Sequence, residues 1–153
     1  MESVISFQVR GLEYVQSLLG RDIDEVLRPG LRNAALMIER KMKMPPRAIP
    51  GVLAQRGTRA QQRAFFAKMR ENGGTWARTG QLEESWTWEF TKAVRGVHGA
   101  RVYNPTEYAH WVQARKFQAR MHQGIWLTDQ EVLNESKPQI VSYVTEALRR
   151  GFA

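Results

Sequence analysis

From Ser85 to Phe90 the chain alternates strictly, with Trp86, Trp88 and Phe90 on one side and Ser85, Thr87 and Glu89 on the other. A period of two is the pattern of a half-buried β-strand, so this stretch fixes a sheet with one apolar face. Thr79-Gly80 ahead of it supplies a turn, because glycine accepts backbone angles that other residues avoid. A second apolar run from Val94 to Tyr103 ends at Asn104-Pro105, where proline removes a ladder donor and restricts the residue before it. Strand, short turn and strand make a hairpin, with the turn falling between Phe90 and Val94. An isolated hairpin is marginal in water, so Val4 to Val9, a third candidate strand closed by Gly11, is expected to pair with it. Tyr108 to Gln113 and Gln118 to Trp126 read as an irregular connection.

Helical patterns surround the hairpin. Leu12, Val15, Leu18 and Leu19 fall at helical spacing, with Gly20 as a stop. Ile23, Val26, Leu27, Leu31, Ala34, Ala35, Ile38 and Met42 form an i, i+3, i+4 stripe, the longest in the chain. Asp22, Asp24 and Glu25 near its start and Arg40, Lys41 and Lys43 near its end are the signs a helix dipole favours. Pro29-Gly30 is expected to kink or break this helix, and Pro45-Pro46 to end it. Residues 45–57 read as an extended Pro/Gly-containing loop, long for a compact domain. Thr58 with Gln61 forms a capping box opening a helix to about Asn72, which Gly73-Gly74 stops. Thr128 with Glu131 forms another, opening a C-terminal helical region that Pro138 is expected to split, the second piece burying Ile140, Val141, Val144 and Leu148. The fold class is α+β: residues 1–153 as one domain, with a long amphipathic helix and further helices packed on a small antiparallel sheet of about three strands.

The charge is unevenly placed. Ten basic residues lie between Glu39 and Arg78 against two acidic ones, so this quarter of the chain carries the whole net charge of +8. A concentrated positive field favours an anionic partner, nucleic acid or an acidic protein surface, although a solvated basic face serves solubility too. Arg40, Lys41, Lys43, Arg47, Arg56, Arg59, Arg63, Arg70 and Arg78 are therefore candidate partner-binding residues. Of the five tryptophans, Trp76, Trp111 and Trp126 join them as candidate interface residues, a reading preferred to base-stacking platforms.

Little points to chemistry. Cysteine is absent, which removes disulfides, thiolate metal sites and a cysteine nucleophile. His98, His110 and His122 are spaced twelve apart, unlike a helical metal pair or a finger, and read as structural or surface histidines. Adjacent Glu83 and Glu84 point apart and cannot form a facing acid pair; near the turn at Gly80 they read as favourable charges at a helix start. Ser85 reads as a hydroxyl on the strand's polar face. No phosphate-binding glycine loop, nucleophile elbow or dinucleotide fingerprint is present. The expectation is no enzyme, no cofactor and no metal. No apolar run approaches the roughly 18 to 20 residues that span a bilayer, and Met1-Glu2-Ser3 does not open a signal peptide, so synthesis in the cytoplasm is expected.

An ordered set of residues resembles a known family. Arg63-Ala64-Phe65-Phe66 on a basic helix, then Arg78-Thr79-Gly80-Gln81-Leu82-Glu83-Glu84-Ser85-Trp86, then Asn104 followed by Tyr108-Ala109, then Val112-Gln113 and Gln118 to His122 resemble the minor tail or tail-completion proteins of tailed bacteriophages. The matching motif residues are Arg78, Thr79, Gly80, Leu82, Ser85, Trp86, Asn104, Tyr108 and Ala109, within a span from about Gln62 to Glu131. Where many relatives carry an acidic–glycine pair, this chain has Gln113-Ala114-Arg115. The resemblance implies an α+β fold without catalysis. It also implies assembly into a ring, expected to be hexameric, at the head–tail junction or tail end around the passing genome. Neighbouring neck or tail proteins such as an adaptor, portal, tail terminator or tail tube are the implied partners, with the virion as location and DNA in transit as a possible contact. Acidic protein partners suit the basic quarter better than DNA, since strong phosphate binding would slow a sliding duplex. The rival reading is a basic nucleic-acid-binding protein using residues 39–78. A histidine hydrolase is a weaker third.

Overall fold

The structure, a computed structural model, describes residues 3–12, 17, 22–45, 58–71, 81–94, 96–124 and 126–153. They form an α+β fold of five α-helices and one three-stranded antiparallel sheet. In chain order the elements are β1 (Ser3–Val9), α1 (Ile23–Met42), α2 (Arg59–Glu71), the single turn α3 (Gln81–Glu84), β2 (Thr87–Val94), β3 (Val97–Asn104), α4 (Ala109–Gln113), a 3-10 turn (Arg120–His122) and α5 (Asp129–Gly151). No helix among the described residues is long and apolar enough to cross a membrane.

The sheet order is β1-β3-β2, so the N-terminal strand does pair with the hairpin, along its later strand. The inner face carries Ile5 and Phe7 from β1, Ala100 and Val102 from β3, and Trp88 and Phe90 from β2. On the outer face Arg101 donates to Glu89 across the strands at 2.7 Å and its guanidinium stacks on the Tyr103 ring at 4.8 Å. The hairpin turn lies later than the sequence pattern predicts. Val94 pairs with Val97, and Gly96 just before Val97 has φ 69, a conformation glycine adopts without strain. No residue between Phe90 and Val94 has that freedom, so β2 runs on to Val94 with an irregularity between Thr91 and Val94.

Of the long apolar stripe Ile23, Leu27, Leu31, Ala34, Ala35, Ile38 and Met42 are all buried, and Val26 is half-buried. Asp22 caps α1 by accepting from the Asp24 amide at 2.9 Å. Neither proline interrupts its helix. Pro29 lies inside the 20-residue α1, and Pro138 inside the 23-residue α5. Both rings sit on exposed faces, and Glu25 and Asn134, whose carbonyls lose their intrahelical donor, are exposed as well. Water can satisfy those carbonyls, while the buried residues on either side clamp the two helices together. Their backbones approach closely at Gly30, where a Cβ would lie 2.6 Å from the Tyr143 carbonyl oxygen and 2.9 Å from the Ala147 Cβ. The buried stripe of α5 is Val132, Ser136, Ile140, Val144 and Ala147; Val141, expected inside, is exposed.

Both capping boxes form. Thr58 and Gln61 exchange hydrogen bonds at the start of α2, and Thr128 and Glu131 do so at the start of α5. The helix expected over Leu12 to Leu19 and the loop over 45–57 lie outside the described residues, apart from Leu12, Ser17 and Pro45.

Candidate interaction surface

Where α1 ends, four segments of the chain are tied together by two buried side-chain amides. The last helical carbonyls of α1 have no partner within the helix. Gln113 of α4 reaches one of them, its Nε2 donating to the Met42 carbonyl at 3.0 Å, while its Oε1 accepts the indole N–H of Trp86 at 2.9 Å. Asn104, at the end of β3, donates through Nδ2 to the Leu82 carbonyl at 2.7 Å and accepts through Oδ1 from the Thr106 amide and hydroxyl. Gln113 and Asn104 are both 0% exposed, so the bonds to Trp86, Met42 and Leu82 are made without competition from water. Beside them Leu82, Ala109 and Val112 form a small apolar cluster of their own, with Trp126 packed on it.

This corrects two expectations about the aromatic stretch. Trp86 is not on the strand; it precedes β2, is 1% exposed, and points into the core. Ser85 sits in the turn after α3 rather than on the strand's polar face. Leu82, Trp86, Asn104 and Ala109 thus come together as one structural knot. Arg78, Thr79 and Gly80 lie outside the described residues.

The knot carries a projection. Of the two stretches expected to be irregular, Tyr108 to Gln113 holds the helix α4 and Gln118 to Trp126 the 3-10 turn. The described residues of the second fold around Gln118, whose Nε2 donates to the Val112, His122 and Trp126 carbonyls at 2.8, 3.3 and 3.4 Å. The Ala119 amide donates to the Trp111 carbonyl at 2.7 Å, and Asp129 Oδ1 accepts from the Arg115 amide at 2.8 Å. These bonds brace α4 so that Trp111 stands 53% exposed and Tyr108 39% exposed. His110, buried beneath, places its ring 4.6 Å from the Trp111 indole and 6.3 Å from Phe117. Arg115, Lys116 and Arg120 are exposed around them. Tryptophan, tyrosine and arginine on a rigid support are the residue types that dominate binding energy in protein interfaces. Of the three candidate interface tryptophans, the structure exposes Trp111, half-buries Trp126 against the small cluster, and does not describe Trp76.

The candidate basic residues divide. Lys41 donates to Ser136 Oγ at 3.0 Å and Lys43 pairs with Glu39, so both are engaged within the fold. Arg40 is exposed, as are Arg59 and Arg63 on α2. Arg70 belongs to α2 with its side chain outside the described residues, as are Arg47 and Arg56 altogether.

The histidines have separate environments. His98 Nδ1 donates to Asp24 Oδ1 at 3.0 Å, and that bond, with Arg28 beside it, holds the Asp24 carboxyl below its usual range. Burial pushes the His122 imidazole below its ordinary value. The Nδ1 atoms of His110 and His122 are buried with no partner among the described residues. Those residues hold no group of three His, Asp or Glu placed to hold a metal ion. Sequence pattern missed Gln113 as an organising residue and picked out Asn104 only through the family resemblance; for Gln113 a lone amide within the apolar run Trp111-Val112-Gln113-Ala114 was the available signal. Set against protein-family models, curated proteins and solved structures, the chain matches none of them.

Proposed function

We propose that this chain is a structural protein of a tailed-bacteriophage virion, one subunit of a ring at the head–tail junction or tail end that surrounds the DNA passage. The observation that carries the reading is the convergence of the motif residues: Leu82, Trp86, Asn104 and Ala109, separated in sequence, meet in one knot, and Tyr108 stands at its rim. A motif that folds into one unit is a structural signature, as a family defined by assembly requires. Exposed Trp111 and Tyr108 on that unit supply aromatic anchors for a neighbouring subunit or neck protein. The sheet adds a second means of association, since among the described residues β1 and β2 are both edge strands and an edge is a template for pairing.

Imaging the head–tail region of intact particles tests this directly. A closed ring of this chain there is the expected result, and its absence from the particle would overturn the proposal. The rival, nucleic-acid binding, is favoured by exposed Arg59 and Arg63 one turn apart on α2. It requires duplex-DNA affinity that falls steeply with salt and weakens when both are neutralised.

A further inference from the structure

A groove of about 510 Å³ opens between α1 and the edge strand β2, lined by Arg28, Pro29, Arg32, Asn33, Leu36 and Phe90. It follows from how two helices cover three strands. α5 packs against α1 at Gly30 and also contacts β1, while α1 lies against β3 and β2. The flank of α1 turned away from α5, with Arg28, Arg32 and Leu36 at i, i+4 spacing, therefore stands beside β2 with no third helix next to it among the described residues. β2 pairs with β3 alone, so its far edge is open there.

The walls of the groove are chemically distinct. Phe90 leaves the core side of β2 to form its apolar side, set edge-on to Trp88 at 5.1 Å. Arg28 is held in place: its guanidinium lies 5.2 Å over the Phe90 ring and 3.3 Å from Asp24. Arg32 is exposed and makes no ion pair among the described residues. Of the nearby carboxylates, Asp24 is committed to His98 and Arg28, and Glu89 to Arg101 on the opposite face of the sheet, while Glu25 is exposed two turns before Arg32. Among the described residues the groove thus combines an open strand edge, an apolar wall and an unpaired guanidinium.

We propose that this groove docks an extended acidic segment of a partner protein. The segment adds a strand to β2 alongside Thr87 to Thr91, seats an apolar side chain against Phe90 and Leu36, and places a carboxylate on Arg32. Strand addition supplies backbone hydrogen bonds for affinity and uses alternate side chains for selection, so an apolar and an acidic residue two apart is the recognised pattern. Arginine suits the carboxylate because its planar fork binds both oxygens. A nucleic acid would find one free guanidinium here and no use for the strand edge. The inference rests on the fold and stands apart from the virion proposal.

The test is a titration of the isotope-labelled full chain, followed by backbone amide NMR, with a capped peptide Thr-Leu-Thr-Glu-Thr-Val-Thr and its Glu→Lys analogue. The acidic peptide is expected to shift the amides of Thr87 to Thr91 and Arg28 to Leu36 and to bind at least about tenfold more tightly than the lysine analogue. Arg32→Ala should erase that preference and Arg32→Glu should invert it; Arg32 is exposed, so both variants are expected to keep the wild-type spectrum elsewhere. Equal binding of the two peptides, shifts confined to other residues, or no shift at peptide concentrations on the order of 1 mM would overturn the proposal. So would oligothymidylate binding at the same residues more tightly than the acidic peptide.

Discussion

Around Leu31 the chain is held by carbon: α1, α5 and the inner face of the sheet bury a continuous cluster from Ile5 to Val144. Around Gln113 it is held by hydrogen bonds, with two buried amides tying four segments and an apolar cluster of three residues beside them. The two regions fail differently. Apolar burial is broad and tolerates loss at one position in proportion to the atoms removed, whereas a buried amide network leaves an unpaired partner behind whenever one member is lost. The first region makes the fold; the second fixes where α4 and its exposed aromatics stand.

Substitutions can sharpen that contrast. Leu31→Ala, at 1% exposure in the large cluster, is expected to cost about 3–4 kcal/mol in denaturant unfolding while leaving the hydrogen bonds of Gln113 to Trp86 and Met42 in place. Gln113→Leu conserves volume but strands the Trp86 N–H and the Met42 carbonyl, for a cost of about 2–3 kcal/mol. Its effect should appear in Trp86 fluorescence and in faster amide exchange over residues 109–124, and Leu31→Ala should not reproduce that faster exchange. If Gln113→Leu were neutral, the claim that the second region depends on polar bonding would fail.

Acid should also separate the two regions. The folded His122 pKa is depressed, so the unfolded chain takes up the proton first and stability falls as pH drops below about 6.5. Asp24, at the start of α1, has a depressed folded pKa too. Its contribution is present above 3.8 and is lost as pH falls through the lower folded value. Melting midpoints measured against pH should show two steps, the upper removed by His122→Asn and the lower by Asp24→Asn. The smallest stability effect is expected at Trp111→Ala, within about 0.5 kcal/mol by denaturant unfolding, because that ring is 53% exposed.

The first region was largely legible in sequence. The α1 stripe, both capping boxes and the pairing of β1 with the hairpin follow from spacing alone, because each is a local pattern with one physical solution. Pro29 and Pro138 misled for a reason sequence does not carry: a proline breaks a helix when its lost bond is buried, and both of these face water. The hairpin turn was misplaced because alternation through Phe90 spoke louder than the one glycine, Gly96, able to close it. The second region was legible only in fragments. Gln113, Asn104 and Trp86 act through partners far along the chain, and nothing local marks an amide as buried and satisfied.

The central claim is that Leu82, Trp86, Asn104 and Ala109 work from inside while Trp111 and Tyr108 work from the surface. Its most direct measurement is the amount of Trp111→Ala protein incorporated into particles produced without the wild type, quantified against wild-type incorporation, for a variant with an unchanged melting midpoint. The account predicts that the wild type is present at the head–tail junction or tail end and that the equally stable variant is lost from it. Wild-type levels of the variant in the particle would contradict it.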